Sequence, residues 1–157
     1  PFGKAMKPGD ERMPAVAAVG VAAEKRSVMD RIVAAGAGAR MRKPFETLFF
    51  EDDFITPMDA SEPLRECLEM VRIGPSASNR QPWRAVRHGN SVHFYVAESK
   101  GYAGNRLPDG PLQRVDMGIA ACHMEQAAKA LGLPGGFAVD DPKLNAPEGW
   151  RYSYSWR

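Results

Sequence analysis

An α+β fold is what this sequence predicts, and three observations predict it. Residues 59–73 and 112–131 repeat apolar side chains at helical spacing. Two strand-forming runs, WRAVRH (83–88) and SVHFYVA (91–97), flank Gly89-Asn90, a strong hairpin signal. The closing RYSYSWR (151–157) alternates serine with large aromatic residues, as a strand does. Helices mixed with an antiparallel hairpin give an antiparallel-rich sheet flanked by helices.

The elements follow in chain order. PAVAAVGV (14–21) reads as a short buried strand, with a helix as the alternative because of its alanines. EKRSVMDRIVAA (24–35) places Val28, Met29, Ile32 and Val33 on one helical face, and Gly36 and Gly38 stop it. A basic segment with Arg40, Arg42 and Lys43 comes next. Pro44 suits a first helical position, so a short helix through Phe50 is expected. In 59–73, Asp59 and Glu62 have capping-box spacing, and Leu64, Cys67, Leu68 and Val71 form the apolar stripe. In 112–131 the expected apolar face is Val115, Ile119, Cys122, Ala127 and Leu131, with Gly118 suited to close backbone packing. In the last strand Tyr152, Tyr154 and Trp156 should face one way and Ser153 and Ser155 the other.

Composition narrows the function classes. With 157 residues, 44% hydrophobic and 25% charged, the chain can bury a real core. A net charge of +2 argues against a nucleic-acid or membrane-surface partner. No apolar run approaches the ~20 residues that a membrane-spanning helix needs, and residues 13–23 lack an export pattern. Cys67 and Cys122 form no CxxC pair and lie in helical patterns. Buried free thiols in a reducing, cytoplasmic compartment are expected. The chain begins at Pro1, and its first 20 residues do not read as the start of a fold. The expectation is the back portion of a longer protein.

The motifs exclude much chemistry. His88, His93 and His123 have no zinc-ligand spacing, so no metal site is assigned. Patterns for a nucleophile elbow, a dinucleotide loop or a P-loop are absent, and no catalytic side chain is assigned. Cys122 and His123 are neighbours on one helix and point about 100° apart, so they cannot act as a pair. Two features remain. Arg40, Arg42 and Lys43 are either a solvated face or a phosphate seat, since charge-assisted bonds to phosphate are strong. GPSASNRQPW (74–83) carries more hydrogen-bonding side chains than a turn requires. It is either a self-capped loop or one built to meet a polar ligand.

PSASNRQPW (75–83) resembles the P-S-x-x-N-x-Q-P-W signature of the FMN-dependent nitroreductases. DMGIAACHMEQAAKALGL (116–133) resembles the helix that family carries downstream. PAVAAVGVAAEKR (14–26) is similar to its last core strand and the G-Y-P-A-E turn, although Gly20-Val21-Ala22 stands where that turn has Gly-Tyr-Pro. RMRKPFETLFFEDDF (40–54) is similar to its closing basic stretch. A family tail thus precedes a family head, which resembles the tandem, two-half branch. Residues 1–55 would be the tail of a first half and 56–157 the second half, together one compact unit.

The resemblance implies a nitroreductase-like fold, FMN as cofactor and NAD(P)H as reductant of a small-molecule acceptor. It implies an upstream half of the same protein, or a second copy, as partner. Arg40 and Arg42 match the phosphate-contacting positions of the tail. Pro75, Ser76, Ser78 and Asn79 match the loop presented to the flavin, with Gln81, Pro82 and Trp83 supporting it. The family's R-x-S-x-R phosphate motif does not occur in this sequence. Two alternatives follow: a non-catalytic ligand-binding or subunit-contact domain, and a flavin enzyme that uses oxygen.

Overall fold

The computed structural model describes residues 19–21, 27–36, 38, 40–99, 106–107 and 110–157. Helix α1 (Val28–Gly36) comes first, then a 3-10 turn (Phe45–Thr47) and strand β1 (Phe49–Glu51). Helix α2 (Leu64–Ile73), strand β2 (Trp83–His88) and strand β3 (Ser91–Ala97) follow. A two-stranded ribbon of β4 (Arg106–Leu107) and β5 (Gly110–Pro111) precedes helix α3 (Gln113–Leu131), β6 (Phe137–Ala138) and β7 (Trp150–Trp156).

The main sheet has the order β1-β2-β3-β7-β6. Only β1–β2 is parallel, and the other pairs are antiparallel. The fold is α+β, a mixed and antiparallel-rich sheet with helices, as the sequence predicts. Gly89 takes φ 59° in the two-residue turn that closes His88 onto Ser91. Glycine adopts that angle without steric cost.

The pleat sends side chains to two apolar clusters. On the helix side, Phe49, Trp83, Phe94 and Val96 meet Leu68 and Val71 of α2 and Met117, Ala120 and Met124 of α3. On the other side, Phe50, Val86 and Tyr95 gather Phe54, Trp150 and Tyr152. Fully burying a side chain such as Phe49 or Leu68 contributes roughly 1.5–3 kcal/mol.

Several expectations are corrected. The strand proposed for 14–21 lies mostly outside the described residues; residues 19–21 are exposed and not a strand. Of the 24–35 helix the described part is α1, and Val28, Met29 and Ile32 are 72%, 67% and 61% exposed. Those three side chains lie mostly in solvent. The helix expected from Pro44 through Phe50 stops after one 3-10 turn, because Phe49 and Phe50 pair with Ala85 and Val86 and are buried on opposite faces. Asp59 does not cap α2. The helix begins at Leu64, and the Glu62 carboxylate accepts from Glu66 N–H at 3.3 Å.

Helix α3 has its predicted length, with Gly132 left-handed at its end (φ 70°), but buries another face. Gln113, Met117, Ala120, Met124 and Ala128 point inward, while Val115, Cys122 and Leu131 are exposed. Small and flexible side chains let α3 approach the sheet and α2 closely. Gly118 faces open space, not a backbone. In β7 the register slips between Phe94 and Tyr95, skipping Ser153. One extra residue reverses every side chain beyond it. Tyr152 therefore joins Tyr95 on one face while Tyr154 and Trp156 pack on the other, and Ser155 is buried.

Candidate functional site

The polar loop starts where α2 ends. Gly74 N–H bonds to Val71 O at 3.1 Å, and the chain turns extended. Ser76 Oγ accepts from Gln81 N–H at 2.8 Å, closing the loop on itself. Ser78, Asn79 and Gln81 take φ 49°, 53° and 48°. Left-handed backbone costs about 1–3 kcal/mol per strained residue, least for Asn. The hydrogen bonds around them offset that cost.

Those bonds tie the loop to the basic segment. Asn79 Nδ2 donates to Gly38 O at 2.6 Å and to Met41 O at 2.9 Å. Arg42 Nη1 donates to Asn79 Oδ1 at 3.3 Å, and its Nε to Ile73 O at 3.0 Å. Gln81 Oε1 accepts from Lys43 N–H at 2.8 Å. Lys43 Nζ reaches Arg80 O at 2.9 Å. Beneath the loop Gln81, Pro82 and Trp83 are buried and act as its support. From α3, Asp116 Oδ1 accepts from Ala77 N–H at 2.8 Å. Asp116 is 2% exposed, and its Oδ2 has no hydrogen-bond partner. Burial pushes its carboxyl above the usual range, partly opposed by Ala77 N–H.

The predicted residues separate accordingly. Arg42 and Asn79 are brought into direct contact. Arg40 is exposed and makes no hydrogen bond to the loop. Pro75 and Ser78 lie on the exposed edge, while Ser76 and Asn79 are half-buried and hold the loop's internal bonds.

Electrostatics add two residues. Lys43 is half-buried, and burial, then Arg84 and Arg80, bring its pKa down to about 8. Burial brings Arg84 down to about 10; its Nη1 bonds to Gln81 O at 3.0 Å. The loop therefore sits in an excess of positive charge. Among the described residues no group of histidine, cysteine and carboxylate side chains is placed to hold a metal ion. His93 Nδ1 is 2.7 Å from Ser155 Oγ, and His88 Nδ1 is 3.0 Å from Asp52 Oδ1.

A cleft of about 560 Å³ lies elsewhere, between the start of α3 and strands β3 and β7. No residue of the polar loop lines it.

Against known proteins, the chain matches the family model described as "Putative TM nitroreductase" over residues 3–128. The chain belongs to this nitroreductase family. No curated protein and no solved structure matches it. The part of this nitroreductase-family chain that is matched takes in the basic segment, the polar loop, the hairpin and most of α3. Nitroreductase membership points to oxidoreductase chemistry with a flavin. No helix among the described residues is long and apolar enough to cross a membrane.

Sequence reasoning named Lys43 only as part of the basic cluster and passed over Asp116. Lys43 carried a signal, since it follows Arg42 and precedes a proline. Asp116 carried a fainter one: it lies three residues before Ile119 and one before Met117, at helical spacing from the apolar residues of α3.

Proposed function

We propose that the full-length protein is an FMN-dependent oxidoreductase that takes electrons from NAD(P)H and passes them to a small acceptor. The observation that carries this reading is the bond from Arg42 to Asn79, joining the basic segment to the P-S-x-x-N loop in a nitroreductase-family chain. The residues fit the phosphate end of the cofactor. Lys43 is held among like charges from Arg84 and Arg80, and a phosphate dianion would offset that repulsion. On this reading Arg40, Arg42 and Lys43 hold the phosphate, and the loop of Pro75, Ser76, Ser78 and Asn79 offers its exposed edge to the flavin. When bound, the flavin supplies the redox chemistry. The loop's left-handed backbone and internal bonds keep its donors fixed, which is what tuning a cofactor requires.

The same reading takes residues 1–55 as the tail of an upstream half and 56–157 as the second half. Packing of Phe45, Leu48 and Phe49 into the main core supports one compact unit. A cytoplasmic setting agrees with the free thiols Cys67 and Cys122.

Arg40→Ala with Arg42→Ala should weaken FMN at least tenfold in the full-length protein and change riboflavin less than twofold, because charge-assisted phosphate bonds contribute roughly 1.5–3 kcal/mol each. Equal losses for both flavins would contradict the phosphate role. Bleaching of the yellow protein by NADPH under nitrogen would support the reductase assignment.

A second reading, a non-catalytic ligand-binding or subunit-contact domain, draws on one observation. The family's R-x-S-x-R phosphate motif does not occur in this sequence. Purified full-length protein that takes up no flavin from excess FMN would decide for this reading.

A further inference from the structure

The cleft beside α3 has features that the flavin reading does not use. Val96 and Met117 form a buried apolar floor, and the Tyr154 ring, on the same face of the sheet, lines it. The Tyr154 hydroxyl is already engaged, its Oη donating to Met117 O at 2.7 Å. At the rim Arg151 is paired with Glu98. Arg114 lines the same cleft and has no carboxylate partner among the described residues. The cleft thus has an apolar body and one unmatched positive charge at its mouth. Gly118 supplies the space, since a Cβ there would meet no atom within 4 Å. A cleft of about 560 Å³ lies within the usual range for small-molecule sites.

We propose that this cleft binds a small organic anion with a ring-sized apolar body, the ring lying over Met117 and Tyr154 and the anionic group at Arg114. The apolar floor supplies affinity in proportion to the area buried. The guanidinium supplies orientation through paired donors to a carboxylate. The proposal does not depend on flavin binding.

The test is titration calorimetry of the full chain with 1-naphthoate and with the neutral 1-naphthalenemethanol. Saturable one-to-one binding of naphthoate is expected, with the alcohol at least fivefold weaker. Gly118→Phe, which places a ring in the cleft, should weaken naphthoate at least tenfold. Gly118→Ala should stay within twofold. Both should melt at or above the parent temperature, because each replaces a helix-interior glycine in open space. Arg114→Glu should weaken naphthoate at least fivefold and leave the alcohol unchanged. No saturable naphthoate binding, or undiminished binding to a folded Gly118→Phe, overturns the site. Equal affinity for the alcohol overturns the role of Arg114.

Discussion

Lys43 ties charge to the candidate site at the level of single atoms. Its pKa falls from 10.5 to about 8, with burial first among the causes and Arg84 and Arg80 next. An unfolded Lys43 holds its proton up to about pH 10; folded, it releases the proton above about pH 8. The unfolded state therefore binds more protons across that window, and stability rises with pH through it. Urea melts of the parent and Lys43→Met should draw closer as pH goes from 7 to 10, the charged lysine being the destabilising form. A bound phosphate reverses the preference, because it needs the ammonium. FMN affinity should fall as pH passes about 8 in the parent and stay flat and weaker in Lys43→Met. A parent curve as flat as that of the variant would remove Lys43 from the site. At this scale the sequence was half legible. Asn79, Ser76 and Gln81 stood out by type and spacing, and all three make the bonds that shape the loop. Which of them face outward was not legible, because positive φ at Ser78, Asn79 and Gln81 depends on carbonyls of Gly38 and Met41 about 40 residues away.

Elements were legible by length and far less so by orientation. The hairpin and α3 run close to where periodicity put them, because turn glycines and helical spacing are local signals. The buried face of α3 was not, since Val115 and Ile119 form as good a stripe as Met117 and Met124 until the sheet is in place. The bulge that turns Tyr152 over is likewise invisible in an alternating RYSYSW. Asp116 explains part of the choice of face, because it binds the polar loop to α3 through Ala77 N–H. Asp116→Ala should cost about 1–3 kcal/mol, the usual penalty for a buried donor left unpaired. Asp116→Asn keeps an acceptor oxygen and removes a charge that burial disfavours, so it should lie within about 1 kcal/mol of the parent. The sign with pH is the opposite of that for Lys43. A raised carboxyl pKa means the folded state holds the proton longer, so this contribution is lost as pH rises through the folded value. Chemical denaturation at pH 5 and pH 8 would check both variants. An alanine as stable as the asparagine would mean that the loop does not rely on this anchor.

Across the whole molecule the basic segment and the strand after it are part of the fold and not an appendage. Strand β1 is the parallel edge of the sheet, and Phe45, Leu48 and Phe49 lie in the same core as Trp83, Leu68 and Met124. This bears on the proposed division at residue 55. If the first residues derive from an upstream half, that half must contribute core to the second one, as a tail that crosses between two partners would. A chain of residues 56–157 would lose β1 and expose Trp83 and Ala85 on the helix side and Val86 on the other. Removing one buried Phe costs about 3–5 kcal/mol, and a whole domain is stable by only about 5–15 kcal/mol. The 56–157 fragment should therefore lack a cooperative thermal transition, while the full chain has one. A synthetic peptide spanning residues 40–58, added in excess, should restore the transition, because it returns both β1 and the carbonyl of Met41 that binds Asn79. Circular dichroism melts of the fragment, with and without peptide, measure this directly. A fragment that melts as sharply as the full chain would show that the second half holds its own core, and the tail would then be a docking strand whose loss leaves the fold intact.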